Sequence, residues 1–485
     1  MFQLPVDCLN DIIKYLENDK RTLYSCILVN RLWCEVSVRI FWRDINNYSI
    51  KNFSTLINCL PDESKKILYD NKIIISTPTT KFPTFNYASF CKVLSIGEVY
   101  NKIDRLLSRQ QTISSHDLRR YYLNIMVQEI FKMFMCQISS LEKLIFFAYN
   151  PTLTFPLYSG AKDCLRNLSK LSFNSSISTE LFYQLSQFCY NIQSFTLGIE
   201  EIVTNGIVDL ISVQRNLKHF VMLLHHNLSI NNLTNIIPLL TSKLSNTLID
   251  LDISGGSNHL SLLFIANFSN LKELNLAFDY DECFVNFEKL QYAFFPHLQV
   301  LKITEKYPRV ELLIKFLEIN GKNLKEIRIG DFFGDSDNSL NLAIAKFCPS
   351  LRKLSIGIRH NELETLKMIF GSCKSLESIK IWCGGDYLNE KEALELVVKY
   401  SQNIHELIFN HLFDVRIKLL PEELESFFIS WINRKPQKSI SLVIVNFDSH
   451  SLDENHENME IIKKYIKLGV IKRFKITTFD DVEYT

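Results

Sequence analysis

Eleven times the chain repeats one arrangement of three apolar residues, apolar-x-x-apolar-x-apolar. The triplets are Leu141, Leu144 and Phe146; Leu168, Leu171 and Phe173; Ile192, Phe195 and Leu197; Leu217, Phe220 and Met222; Leu248, Leu251 and Ile253; Leu271, Leu274 and Leu276; Leu298, Leu301 and Ile303; Leu324, Ile327 and Ile329; Leu351, Leu354 and Ile356; Leu376, Ile379 and Ile381; and Ile404, Leu407 and Phe409. Their spacing averages about 26 residues, the length of one supersecondary unit rather than of a domain. Anchors two apart place their side chains on one side of a short strand. Between anchors, Ser178–Phe188, Glu282–Phe294, Arg309–Asn320, Asn338–Phe347, Asn361–Phe370 and Glu390–Tyr400 carry apolar residues at i, i+3 and i+4, which predicts helical returns. No such unit covers its own apolar face, so neighbours must stack.

This period, with one strand and one return per unit, resembles the leucine-rich repeat. The resemblance implies an α/β solenoid, a horseshoe with parallel strands inside and helices outside. A looser unit around Ile440, Leu442 and Ile444 extends the series. Asn227–Asn235 and Asp448–Glu460 interrupt the spacing and read as rim loops. Ahead of the array, Ser76–Pro83 is turn-rich and predicts an exposed loop, while Ile73–Ser76 and Phe90–Ile96 read as strands of degenerate repeats that cap the first edge. His116–Cys136 reads as one long helix; Asn455–Leu468 and Val470–Thr477 read as a helix and a strand that close the other end.

The first residues carry a different pattern. Leu9, Ile12, Ile13 and Leu16 recur at i, i+3, i+4 and i+7 behind Leu4 and Pro5, and Pro5 suits a first helical position. Further helices are expected over Lys20–Val29, with Leu23, Cys26 and Ile27 inward, and over Arg31–Phe41, with Trp33, Val36, Ile40 and Phe41 inward. Three short helices build too small a core to stand alone. The ordered set Leu4-Pro5-Val6-Asp7, the apolar stripe, Val29-Asn30-Arg31-Leu32-Trp33 and Phe41-Trp42 resembles an F-box, with Asp7 where the family usually has Glu and Asn30 where Cys or Ser is common. That resemblance implies docking, through Leu4, Pro5, Leu9, Ile12, Ile13, Leu16, Val29 and Trp33, onto a Skp-type adaptor and through it onto a cullin–RING ubiquitin ligase. The asparagine that often follows a repeat strand is only partly present, as at Asn174 and Asn410, and this irregularity resembles the cysteine-containing, F-box-linked repeats more than the extracellular class. The chain thus divides into residues 1–45, an all-α F-box; 46–116, a linker with degenerate capping repeats; 117–447, the array; and 448–485, a capping helix and strand.

With 485 residues, 47% of them hydrophobic and 22% charged, the chain can bury an extensive core. A net charge of +1 without a long basic block argues against general binding of nucleic acid or membrane surfaces. Asp7, Asp11 and Glu17 interrupt any amino-terminal apolar stretch, and no apolar run approaches about 18 residues, so a cytoplasmic or nuclear location is expected. Twelve cysteines include no Cys-x-x-Cys pair, which leaves no zinc signature. Cys189, Cys348 and Cys373 each stand three residues before an anchor and Cys164 four before Leu168, the phase of a small buried residue at a return's end. There is no glycine-rich phosphate loop, His-Glu-x-x-His or Gly-x-Ser-x-Gly. His225-His226 reads as surface loop, and Gly255-Gly256 and Gly384-Gly385 as turns. No cofactor, metal or catalytic centre is expected.

The residue between the last two anchors of each triplet faces the inner surface, giving the column Ile145, Ser172, Thr196, Val221, Asp252, Asn275, Lys302, Arg328, Ser355, Lys380, Ile408. Lys302, Arg328, Lys380 and neighbouring Lys353 form a basic patch beside Asp252, with Trp382 as a candidate aromatic anchor and Gly198, Gly330 and Gly357 after their strands. Such a patch suits an acidic or phosphorylated target segment; equally, its charges can pair across strands. The expected function is that of a non-catalytic substrate-recognition subunit of an SCF-type ubiquitin ligase. A repeat scaffold uncoupled from ubiquitination and a thiol ubiquitin ligase remain alternatives.

Overall fold

The computed structural model describes residues 4–75, 83–110, 115–147, 154–200, 202–226, 233, 235–256, 260–330, 334, 337–412, 418–434, 438–446 and 452–478. The chain divides into two compact units, Met1–Val221 with Asn231–Leu239, and Met222–Ile230 with Leu240–Thr485.

The first unit opens with helices α1 (Val6–Lys14), α2 (Lys20–Ile27) and α3 (Arg31–Phe41). Pro5 lies one residue ahead of the helix rather than inside it, and its carbonyl accepts the Leu9 N–H at 3.0 Å. Asp19 caps α2 through the Thr22 N–H at 3.1 Å, and Asn30 caps α3 through the Trp33 N–H at 3.0 Å. Asn30 therefore does a local job that Ser would also do. Leu9, Ile13, Leu23, Val36 and Ile40 form the module's core, with Leu16, Leu32 and Trp33 packed at its margin.

Between module and array the expectation holds in part: the strand expected within Phe90–Ile96 is present and pairs with the first repeat strand, but the rest is mainly helical. The described residues of 46–110 include the α-helices α4 (Ile50–Asn58), α5 (Asp62–Asp70) and α6 (Ile96–Gln110), a 3₁₀ turn, Tyr87–Phe90, and a short strand, β1 (Val93–Ser95). Residues 73–75 are irregular, not a strand, while Ser76 and most of the expected turn-rich loop lie outside the described residues. The helix expected from His116 is present as α7 (His116–Gln137). Strands β2 (Lys143–Phe146), β3 (Lys170–Asn174) and β4 (Ser194–Ile199) follow, parallel and in register, so that Leu94, Leu144, Leu171 and Phe195 stand side by side. The outer edge of β1 is taken by the residues that leave α3: Arg43 O accepts the N–H groups of Lys92 and Val93 at 2.8 and 3.0 Å, and Asp44 bridges Val93. Strand β5 (His219–Leu224) crosses the division between units.

The second unit carries β6 (Asp250–Gly255), β7 (Glu273–Phe278), β8 (Val300–Glu305), β9 (Glu326–Gly330), β10 (Lys353–Ile356), β11 (Ser378–Cys383), β12 (Glu406–His411), β13 (Ile440–Val445) and β14 (Ile471–Thr477). Each is parallel to the next, and Leu251, Leu274, Leu301, Ile327, Leu354, Ile379, Leu407 and Leu442 align in one buried row. This is the α/β repeat architecture that the triplets predict. Returns at Val310–Asn320, Asn338–Phe347, Leu363–Ser372 and Glu390–Tyr400 match their sequence signals. The return expected over Glu282–Phe294 is instead a 3₁₀ turn, Asp281–Cys283, and a short helix, Phe287–Leu290, because Asn286 between them takes a φ of 61°. The rim loops expected over Asn227–Asn235 and the start of Asp448–Glu460 lie largely outside the described residues; the latter continues as the helix His456–Lys467.

Cysteines at return ends tie neighbouring repeats together. The Cys189 thiol donates to Leu165 O at 3.4 Å and the Cys373 thiol to Cys348 O at 3.3 Å. Burial pushes the Cys164 and Cys189 thiols up to about 12 and Cys373 to about 11, and lifts Cys348 well above the ordinary range. Such thiols hold their protons and are poor nucleophiles.

Candidate binding surfaces

Helix α1 presents two faces, and its consecutive isoleucines separate them: Ile13 is 0% exposed, while Ile12 is 50% exposed. Leu9 and Ile13 are therefore the module's own core and do not meet a partner directly, since a helix turns each residue about 100° from the last and only one stripe can face inward. Leu4, Pro5, Ile12 and Val29 lie on the surface; Leu16 and Trp33 are half-buried. The stripe is thus not one contact face: Leu9 and Ile13 point into the module and Ile12 points out of it. Four further apolar residues of the module are exposed: Val6, Tyr15, Tyr24 and Leu28, the last 85% exposed. The signal for two of them was present, for Tyr15 follows Ile12 by three residues and Leu28 adjoins Val29.

The inner column is a continuous rung in each unit. Ser95, Ile145, Ser172 and Thr196 pair in turn, as do Asp252, Asn275, Lys302, Arg328, Ser355, Lys380, Ile408 and Val443. Lys302 and Asp252 in this column have local partners. Glu326 lies between two lysines, 3.9 Å from Lys302 Nζ and 3.8 Å from Lys353 Nζ. Asp252 accepts a hydrogen bond from Asn275 Nδ2 at 2.7 Å. Burial raises its pKa, while the Asn275 hydrogen bond and Lys302 pull it back. Arg328 is half-buried.

Trp382 and Lys380 are not surface residues. Trp382 is 1% exposed and Lys380 5%, with Lys380 Nζ 4.9 Å from the indole centroid. The indole is covered by Gly334, whose φ of 76° and lack of a side chain let the backbone lie on the ring; a Cβ there would strike it. A tryptophan sealed this way is core, not an anchor awaiting a target. The gap at Gly198 is likewise filled from within, by the Asn174 side chain, whose Nδ2 reaches Glu200 Oε1 at 2.7 Å. His225 and His226 are exposed as expected, and His226 does find a carboxylate, Asp279, at 3.5 Å. Among the described residues no group of three His, Cys, Asp or Glu side chains could hold a metal ion, and no helix is long and apolar enough to cross a membrane.

No family model matches the chain, and no curated protein matches it. Among solved structures it is similar to a chain in the crystal structure of the Rad7 and Elc1 complex in yeast, at 14% identity, covering 66% of this chain and 90% of that one with a TM-score of 0.37. A likeness that distant carries no argument about activity or partners.

Proposed function

We propose that the chain is a non-catalytic substrate-recognition subunit of an SCF-type ubiquitin ligase, acting in the cytoplasm or nucleus. The observation that supports this reading is the apolar surface of α1–α3: Leu4, Val6, Ile12, Tyr15, Leu28 and Val29 stay exposed on a module whose core is already complete without them. Apolar groups left in water on an otherwise closed module mark an interaction face. The sequence resemblance to an F-box names its partner, a Skp-type adaptor that links to a cullin–RING ligase. In this role the repeat strands hold a target and the module fixes it near the charged conjugating enzyme. The contribution is positional, since holding two reactants together replaces a bimolecular encounter with an intramolecular one.

Co-expression with a Skp-type adaptor, followed by size-exclusion chromatography with light scattering, tests it. A stoichiometric complex is expected, lost in the Pro5→Asp, Ile12→Asp double variant while circular dichroism of the chain is unchanged. A folded, monomeric wild-type chain that ignores the adaptor would leave a repeat scaffold uncoupled from ubiquitination as the better account.

A further inference from the structure

The opening of the last three strands of the second unit differs from the central column in how its charges are met. His405, Lys438, Lys472 and Arg473 converge there on a recess of about 790 Å³. Its one carboxylate, Glu406, is already engaged as acceptor for Ser378 Oγ at 2.7 Å. Lys438 Nζ donates to a neutral partner, Asn403 Oδ1, at 3.0 Å, and among the described residues neither Lys472 nor Arg473 has an ion-pair partner. Three cations therefore face one committed carboxylate, whereas in the central column two lysines share one glutamate.

The backbone adds a second, independent observation. Ile440 pairs with Ile471 but Ser441 pairs with Arg473, so β14 carries Lys472 as an extra residue at a bulge. A bulge bends the strand and re-aims side chains, and this one places Lys472 and Arg473 together on the recess wall. The Ser441 hydroxyl, also lining the recess, is buried and has no hydrogen-bond partner among the described residues. Lysines on an edge strand can also serve simply to deter pairing with another chain. Deterrence needs charge on β14 alone, however, and does not call for Lys438 and His405 supplied by two other segments.

We propose that this recess binds a phosphorylated serine or threonine side chain of the target. A phosphate monoester carries about −1.5 to −2 charges at neutral pH and three acceptor oxygens. It matches the excess of cations, the planar fork of Arg473 and the unmet Ser441 hydroxyl; a single carboxylate would leave a cation uncompensated. The proposal rests on the receptor reading only in naming the occupant a target, and it is measured without adaptor, so loss of adaptor binding and loss of this site are separate results.

The full-length chain is titrated with a degenerate peptide pool bearing one phosphoserine, with its serine and glutamate counterparts, and with inorganic phosphate, at about 0.1 M salt. Saturable binding of the phosphoserine pool is expected, at least about tenfold tighter than the other three probes, and weakened about tenfold in Arg473→Gln and in Lys472→Gln, as removal of a charge-assisted hydrogen bond predicts. Both variants are neutral replacements on an exposed strand, and an unchanged thermal melt keeps the result readable. Lys302→Gln, in the central column, should leave the affinity unchanged. Equal binding of serine and phosphoserine pools, or unaltered affinity in both β14 variants, overturns the site. Inorganic phosphate bound as tightly as the phosphoserine pool overturns its assignment to a protein side chain.

Discussion

Ile12 in α1 and Ile379 in β11 both sit at apolar-patterned positions, yet one is half exposed and the other fully buried. The difference lies in what the chain supplies next. Ile379 has Leu354 and Leu407 beside it on flanking strands, so the repeat itself seals the position. Ile12 has its covering helices on the opposite side of α1, where Leu23, Val36 and Ile40 pack on Ile13. An apolar pattern announces a face; the following elements decide whether that face is core or contact.

The comparison breaks first, if it breaks, at the buried rows. Leu274→Ala or Phe195→Ala should cost about 3–5 kcal/mol, read as a lowered urea midpoint, and a cost below about 1 kcal/mol would mean the row can collapse around a cavity. Ile13→Ala should cost about 2–4 kcal/mol because the module's core is small, whereas Ile12→Ala should stay within about 0.5 kcal/mol. Equal losses at the two isoleucines would erase the distinction between core and contact.

A pH titration sharpens the contrast between buried and exposed thiols. In the unfolded chain cysteines release their protons near pH 8.5, but the folded units hold those of Cys164, Cys189 and Cys373 until about 12, 12 and 11. The stability these thiols contribute is whole below pH 8.5 and declines as pH rises toward those values. A disulfide reagent at pH 8 should modify the exposed Cys8 and Cys136 readily and leave Cys189 and Cys373 slow until unfolding. The smallest effects belong to the central column: Glu326→Gln should change stability by less than about 1 kcal/mol, since its pairs are partly solvated. Asp252→Asn should be neutral or slightly stabilising at pH 7, because burial already disfavours the charged carboxylate. Thermal melts at matched pH check both.

The strands were legible because each triplet carries its own period, and the column Asp252 to Ile408 follows directly from it. Helices α4 and α5 were written locally as well, in the Ser49 and Asn52 capping box and in Pro61 followed by Asp62 and Glu63, but the turn-rich stretch after them drew residues 46–116 toward loops and strands. Trp382 could not be read. Its alternation with Lys380 puts both on the inner side, and the residue that roofs it, Gly334, belongs to a segment far back in the chain whose path no periodicity describes. The bulge at Lys472 escaped for a related reason: one inserted residue shifts a register without disturbing the apolar spacing that locates the strand.

Within each unit, strands pair with those next to them in the chain, so most contacts join residues about one repeat apart. Closing each new rung therefore asks the chain to form only a short loop, and growth can begin at any pair and spread to either side. Damage spreads in the same way. A lost strand exposes its two neighbours and leaves more distant rungs with their partners, so such a unit would fray from a wound rather than dissolve at once.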